Sequence, residues 1–351
     1  MMKNAYFLLS LLALLWFSNC DKADEQPDPG MIAAAGVFVL NEGLFTQGNA
    51  SVGYFALEDE QWTADLFQAA NNRPLGDILQ SMTIVENQAY LVLNNSQRIE
   101  VVDVQTFQSV GAIEGLGSPR YLLPLGNGQA YVSDLFGGQI QVVNLAERGL
   151  VQTIPLPESW AEQLAQVGEE VFVACPSSWG QPPSRQLYVI DTRTHSVVDS
   201  IAVGLSPQAL ALDGEGKLWV LCAGDFASAT PGGLYRIDPA SKAVLKALPF
   251  SDTNIGFAPR LAIDAAGGRL YYTKDGLYAV SVQSEALPSQ PLIPAQGREF
   301  YGLGIEPESG RIWLGDARDY QSRGQVLYFE PNGELIDAFE AGFLPNGFVF
   351  R

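Results

Sequence analysis

QAYLVLNNSQRIEVVDVQTFQSV (Gln88–Val110) and QAYVSDLFGGQIQVVNLAERGLV (Gln129–Val151) follow one plan. An aromatic sits in a short apolar run, a loop follows, and a second run ends in Asp or Asn before a turn. The period-two pattern of Ile99–Asp103 marks a β-strand. The plan returns in EVFVACPSS with QLYVIDTRTHSVV, in KLWVLCAGD with GLYRIDPASKAVL, in RLYYTKDGLYAVSV, and in RIWLGDARD with VLYFEPNGELI. GVFVLNEG with SVGYFALEDEQW supplies one more copy at the start. The matching aromatics are Phe38, Tyr90, Tyr131, Phe172, Trp219, Tyr271 and Trp313, spaced by 52, 41, 41, 47, 52 and 42 residues. A period of about 40–50 residues with four strand-like segments per unit is the pattern of a β-propeller. Seven anchors predict an all-β, seven-bladed propeller over residues 36–351.

The two ends of the body complete each other. Elsewhere a blade's first strand follows GSPR, LSPQ or FAPR, as in Tyr121–Leu125, Leu210–Leu212 and Leu261–Asp264. The chain ends in FLPNGFVFR, another such turn followed by a strand at Phe348–Phe350, whereas the body opens on a second-strand segment, Val37–Leu40. The C-terminal strand therefore pairs with the N-terminal strand of blade one and removes an exposed edge. Asp103, Asn144, Asp191, Asp238 and Glu330 close the third strands, where an acceptor side chain holds the N–H groups of the turn.

Composition bounds the chemistry. The 351 residues include 35 Gly and 21 Pro, and 47% are hydrophobic, enough for a large core built of many short strands. The net charge of −19 repels phosphate backbones, so nucleic acid is not an expected partner. His195 is the one histidine, which excludes His dyads and multi-His metal sites. It falls in a third-to-fourth-strand turn and is expected to be solvated.

The N-terminus reads as an address. Lys3 precedes an apolar run from Ala5 to Phe17, too short to span a bilayer as a helix and suited to a signal-peptide core. The stretch DKADEQPDPG (Asp21–Gly30) is acidic, Pro-containing and free of large apolar residues, and is expected as a solvated tether. WFSNC resembles the lipobox of bacterial lipoproteins, which implies cleavage before Cys20 and its acylation, with residues 1–19 as the signal peptide and 20–35 as the lipidated Cys20 and its acidic tether. The alternative is an ordinary secretory signal with an incidental Cys. An acidic stretch after that Cys is similar to the surface-export signal of Bacteroidota lipoproteins, implying a surface-exposed outer-membrane protein; a periplasm-facing one is the alternative. Cys175 and Cys222 occupy equivalent places in adjacent blades, usually too far apart for a disulfide, and are expected as two semi-buried thiols.

Function is expected on one face. The loops joining second to third strands and the links between blades share that face, and they are long, whereas the opposite turns are tight, such as GNG and GEG. The aromatics there are Phe45, Phe136, Trp160, Trp179, Phe226, Phe300, Tyr301 and Tyr320. Arg73, Arg120, Arg260 and Arg298 accompany them, with Asp77, Asp134, Asp316, Asn41, Glu42 and Asn346. Ring bodies with amide and guanidinium partners suit a bulky, partly apolar ligand with polar edges. The structural alternative is that each Arg braces a neighbouring blade and each ring plugs a gap.

VLNEGLFTQGNASVGYF (Val39–Phe55), NNRPLGD (Asn71–Asp77) and QRIEVVDVQT resemble a Bacteroidota family of surface-exposed propeller lipoproteins, and more broadly the YncE/YVTN-repeat propellers. Pro74 stands where that family usually has Gly. The resemblance implies a non-catalytic protein that captures a corrinoid such as cobalamin for a TonB-dependent outer-membrane transporter, without a resident cofactor. Two other readings stay open. One is a lactonase- or lyase-like propeller enzyme with a central divalent cation such as Ca²⁺ on oxygens of Asn41, Glu42, Asp134 and Asp316. The other is a protein- or glycan-binding scaffold.

Overall fold

Each repeat folds into a four-stranded antiparallel sheet, and seven such sheets form the body of the computed structural model. The structure describes residues 32, 35–157, 160–176, 182–253, 255–256 and 259–351. The innermost strands, in ring order, are Pro345–Phe350, Leu79–Val85, Pro119–Pro124, Leu164–Val167, Pro207–Leu212, Leu261–Ile263 and Phe300–Ile305. Each touches the next, and the last touches the first. The chain is thus a closed, seven-bladed β-propeller. The seven anchor aromatics all lie in second strands and are buried, none more than 3% exposed, in cores between adjacent sheets.

Closure occurs as the termini require. Gly36–Asn41 pairs antiparallel with Pro345–Phe350 on one side and Ser51–Ala56 on the other, so the C-terminal strand is the innermost strand of blade one. It enters between blades through a run of glycines. A Cβ on Gly315 would lie 2.0 Å from the Pro345 carbonyl oxygen, and one on Gly302 2.6 Å from the same atom. No other residue admits the strand at that distance.

Hydrogen bonds assign loops to faces. Asn94 N–H reaches Ile78 O, Leu135 N–H reaches Ser118 O and Ala317 N–H reaches Glu299 O, tying second-strand ends to inter-blade links. This is the mouth face. Val104 N–H to Asn87 O, Leu145 N–H to Gly128 O and Thr192 N–H to Glu169 O tie third-strand ends to the tight turns of the opposite face, the base.

Several expectations change in detail. Innermost strands of blades three and five begin at the link proline itself, two or three residues earlier than the sequence suggests. Blade one's outermost strand is only Trp62–Thr63, and an unanticipated helix, Leu66–Asn71, follows it, with Asp65 accepting from Gln68 N–H at 3.2 Å and Phe67 buried. Blade six also has a two-residue outer strand, Ile293–Pro294. Asp103, Asn144, Asp191 and Asp238 accept turn N–H groups, but Glu330 uses its backbone instead. His195 is half-buried, not solvated: its Nδ1 meets the Tyr131 hydroxyl at 2.7 Å and latches blade four to blade three. Cys175 and Cys222 form no disulfide and are fully buried, and burial pushes the Cys222 thiol well above its ordinary range. In blades two to five the outer strand bulges at Val110, Val151, Val198 and Leu245, which twists each open edge against unwanted pairing.

Removing Gly347–Arg351 takes away the strand that seals the ring. The truncated chain is expected to lose cooperative unfolding or to melt about 10 °C or more below the full chain. Gly315→Ala should destabilise by about 1–3 kcal/mol through overpacking against Pro345. Circular dichroism melts check both, and a truncation that leaves the midpoint unchanged would refute closure by this strand.

Candidate functional site

Each blade delivers one residue to the mouth at or just before the start of its innermost strand, at the position after the link proline or its equivalent: Asn346, Gln80, Arg120, Glu162, Gln208, Arg260 and Tyr301. Glu42, where the second strand of blade one ends, joins them. Its N–H reaches Leu344 O at 2.9 Å and its carbonyl accepts from Leu79 N–H at 3.0 Å, so the backbone fixes its direction. Its Oε2 accepts from the Tyr301 hydroxyl at 2.7 Å and from Asn346 Nδ2 at 3.3 Å. Asn346 Nδ2 also donates to Leu79 O at 2.9 Å. One carboxylate thereby joins blades seven and one, and the same amide reaches blade two.

Two guanidinium groups complete the floor. Arg120 is paired with Glu162 through two hydrogen bonds of 2.9 and 3.1 Å and also donates to Gln80 Oε1, while Gln80 Nε2 donates to the Tyr121 hydroxyl at 3.1 Å. Arg260 Nε donates to Tyr301 O at 2.8 Å, and its guanidinium lies over the Tyr301 ring at 5.4 Å. These bonds cross the boundaries between blades one and two, two and three, three and four, six and seven, and seven and one.

Electrostatics place these groups around one centre. Burial raises the pKa of Glu42, and the Tyr301 hydroxyl and the charges of Arg260 and Arg120 pull it back without cancelling the rise. Both arginines thus act on the same carboxylate. Burial, then the Glu42 charge, pushes the Tyr301 hydroxyl far above its ordinary value. Burial opposes the charge of Arg120, but Glu162 outweighs it and keeps the guanidinium firmly protonated. The Arg120 side chain is still 19% exposed, as expected of a group lining the channel.

The remaining expected residues divide. Phe45, Phe136 and Phe226 are 68%, 64% and 85% exposed on loops of the mouth face, in blades one, three and five. Phe226 tips a hairpin whose strands run to Asp225 and restart at Thr230, so the supposed long loop is mostly strand. Phe136 lies 6.4 Å from the half-buried ring of Trp160. Arg298, Phe300 and Tyr320 line a recess of about 260 Å³ between blades six and seven, with Lys274, Asp275 and Glu299. The Tyr320 hydroxyl donates to Glu299 at 3.1 Å, burial pushes its pKa up to about 12, and its ring meets Tyr301 edge-on at 5.9 Å. Trp179 lies outside the described residues, as does Cys20.

Other side chains serve the scaffold. Asn41 is buried, its amide spent on Ser51 Oγ and Gly342 N–H. Asp134 accepts from the N–H groups of Ser118, Phe136 and Gly137, and Asp316 from those of Glu299 and Arg318. Both carboxylates clamp loops. Among the described residues no three His, Cys, Asp or Glu side chains are grouped to hold a metal ion. Arg73 lies away from the mouth, over the Phe67 ring at 4.7 Å and bonded to Glu100 at 2.7 Å. Asp77 ties the loops of blades one and two through Thr46 N–H and Asn95 Nδ2. Gln80, Glu162 and Gln208 were not anticipated; Gln80 and Glu162 have no proline directly before them, and the strand register and the Glu162 N–H bond to Ala174 O are the signals that find them.

The site therefore belongs to a seven-bladed propeller with a polar, charge-balanced mouth ringed by exposed aromatics. The chain belongs to the family described as a domain of unknown function, DUF5074, whose model matches residues 35–350. No curated protein sequence matches it. Its fold is similar to a quinonprotein alcohol dehydrogenase-like protein from Bacteroides thetaiotaomicron, with a TM-score of 0.71 at 14% identity over 90% of this chain and 78% of that one. It is also similar to the periplasmic gluconolactonase of Pseudomonas aeruginosa, with a TM-score of 0.65 at 14% identity over 90% of this chain and 98% of that one. At these identities the likeness is one of fold alone.

Glu42 supplies a pH test of this geometry. A folded-state pKa above the unfolded one adds stability below the unfolded value, and that contribution is lost as pH rises through the folded value. Glu42→Gln keeps acceptors for Tyr301 and Asn346 and cannot ionise. Its melting temperature relative to the parent should therefore rise as pH increases from about 4.5 towards neutrality. A difference that stays constant between pH 4 and pH 8 would remove Glu42 from a buried setting.

Proposed function

We propose that the mouth captures a bulky, uncharged or weakly charged ligand with many polar edges, a corrinoid such as cobalamin, without transforming it. In this reading the protein is a lipoprotein of the outer-membrane surface, anchored through Cys20, that hands its ligand to a TonB-dependent transporter. The observation that carries the proposal is the convergence of Glu42, Gln80, Arg120, Arg260, Tyr301 and Asn346 on one floor, beneath the exposed rings of Phe45, Phe136 and Phe226. The floor pairs its own charges, Arg120 with Glu162 and Arg260 near Glu42, so it offers amide, hydroxyl and guanidinium edges with little net charge. Those edges complement carboxamides, and the rings supply apolar contact at low ordering cost because the blades are rigid.

One observation favours an enzyme of lactonase or lyase type instead. A carboxyl with a raised pKa, hydrogen-bonded to a tyrosine in a recessed mouth, is the kind of group that serves as a general acid. Lactone turnover abolished by Glu42→Gln would support that reading over capture.

A ligand that binds only the folded state raises its stability by about 2.7 kcal/mol at a hundred times its dissociation constant, so cobalamin should shift the melting temperature upward. Phe136→Ser with Phe226→Ser should leave the unliganded midpoint nearly unchanged, since both rings are exposed, and weaken binding by about tenfold or more. No shift at saturating cobalamin or cobinamide would eliminate this ligand class.

A further inference from the structure

The outer wall of the ring carries a cleft of about 460 Å³ between blades five and six, next to the mouth-face turn at Lys274. Small-molecule sites occupy about 300–1,000 Å³. The cleft lies where blade six lacks most of its outermost strand. Blades two to five and blade seven have outer strands of five to nine residues, whereas blade six has only Ile293–Pro294, and the chain after Ser281 runs as a loop. Residues 285–289 of that loop form one wall, and residues 247–251, at the end of blade five's outer strand, form the other. Lys246 of blade five pins the loop, since its Nζ donates to Ser284 O at 2.7 Å and to Glu285 Oε1 at 2.8 Å. The walls are thus set before any ligand arrives, and no described residue of the mouth floor belongs to them.

A stack of rings backs the cleft. Phe250 meets Tyr272 at 5.3 Å and Tyr272 meets Tyr278 at 5.2 Å, with interplanar angles of 28° and 11°. Leu248 and Leu287 pack in the same cluster. The Tyr278 hydroxyl donates to Asp275 at 2.8 Å. Tyr272 lines the cleft and is only 1% exposed, yet its hydroxyl has no hydrogen-bond partner among the described residues. Burial pushes its pKa well above the ordinary range, so it keeps a proton to donate. A buried hydroxyl left unpaired is costly, and a molecule that brings an acceptor oxygen to it removes that cost. The charges at the cleft are already answered: Lys274 lies 2.9 Å from Asp252 and 3.5 Å from Asp275, and Glu285 is held by Lys246. An ionic ligand would have to compete with these pairs. We propose that the cleft binds a small, uncharged molecule with a flat apolar body and one acceptor oxygen, the body against the rings and the oxygen on the Tyr272 hydroxyl. This site stands apart from the capture proposed at the mouth and does not rest on it.

The test follows the leucine methyl signals of the protein by nuclear magnetic resonance during titration with two probes. Acetophenone is a flat ring with one carbonyl oxygen, and α-methylstyrene has the same shape without the oxygen. Acetophenone is expected to shift the Leu248 and Leu287 methyls saturably, and α-methylstyrene to bind more weakly. Tyr272→Phe keeps the ring stack and removes the hydroxyl, so it should weaken acetophenone by about threefold to tenfold and leave α-methylstyrene unchanged. Ala247→Trp adds bulk at an exposed position of the wall, where the fold tolerates it, and should abolish the binding of both probes with the melting temperature nearly unchanged. Absence of a saturable shift at Leu248 and Leu287, or equal acetophenone affinity in the parent and in Tyr272→Phe, overturns the proposal.

Discussion

The pairing of Pro345–Phe350 with Gly36–Asn41 is the constraint on which the rest depends, because it converts a row of sheets into a ring. Without it blade one has no innermost strand and blade seven faces solvent. The glycines at 302 and 315 exist to admit Pro345, so blade seven is shaped around the tail it receives. The same seam builds the site. Asn346 comes from the closing strand, Glu42 from the strand it closes on, and Tyr301 from the blade it packs against. Stability and the geometry of the mouth therefore share residues, and damage to the seam should be felt at the mouth.

Charge organises the molecule in the opposite sense to its composition. The chain carries 39 acidic and 20 basic residues, yet Arg120 and Arg260 both act on the Glu42 carboxylate at the mouth, where Arg120 is also paired with Glu162. A mouth of this kind neither attracts polyanions nor presents an uncompensated charge to a neutral ligand. In the proposed capture, recognition would come from hydrogen-bond geometry and from the rings at the rim, so rigidity would matter more than field strength.

The fold was largely legible because repetition makes one physical pattern visible seven times. The aromatic anchors mark the buried middle of each blade, and the link prolines at 119, 207, 259 and 345 mark where a chain crosses to the next innermost strand. The site was legible only in part. Residues just after those prolines, Arg120, Arg260 and Asn346, do reach the floor, whereas Gln80 and Glu162 lack the proline and were invisible to a motif search. Asn41, Asp134 and Asp316 share the composition of binding residues but spend it on loop N–H groups, a distinction that depends on turn geometry rather than residue type. The partnership of Glu42 with Tyr301 joins residues 259 positions apart and becomes apparent only once the ring is closed. The short helix at Leu66–Asn71 escaped because one turn and a half gives no useful periodicity, and its stability comes from burying Phe67.

Native-state hydrogen exchange measures the seam most directly. If the tail is what seals the ring, backbone amides of the closing strand that pair with Val37–Leu40 exchange only through global unfolding, with the same free energy as the amides between Gly36–Asn41 and Ser51–Ala56. Exchange of the closing strand at a markedly lower free energy, with the inner blades still protected, would show a ring that holds together without its tail and would contradict this account.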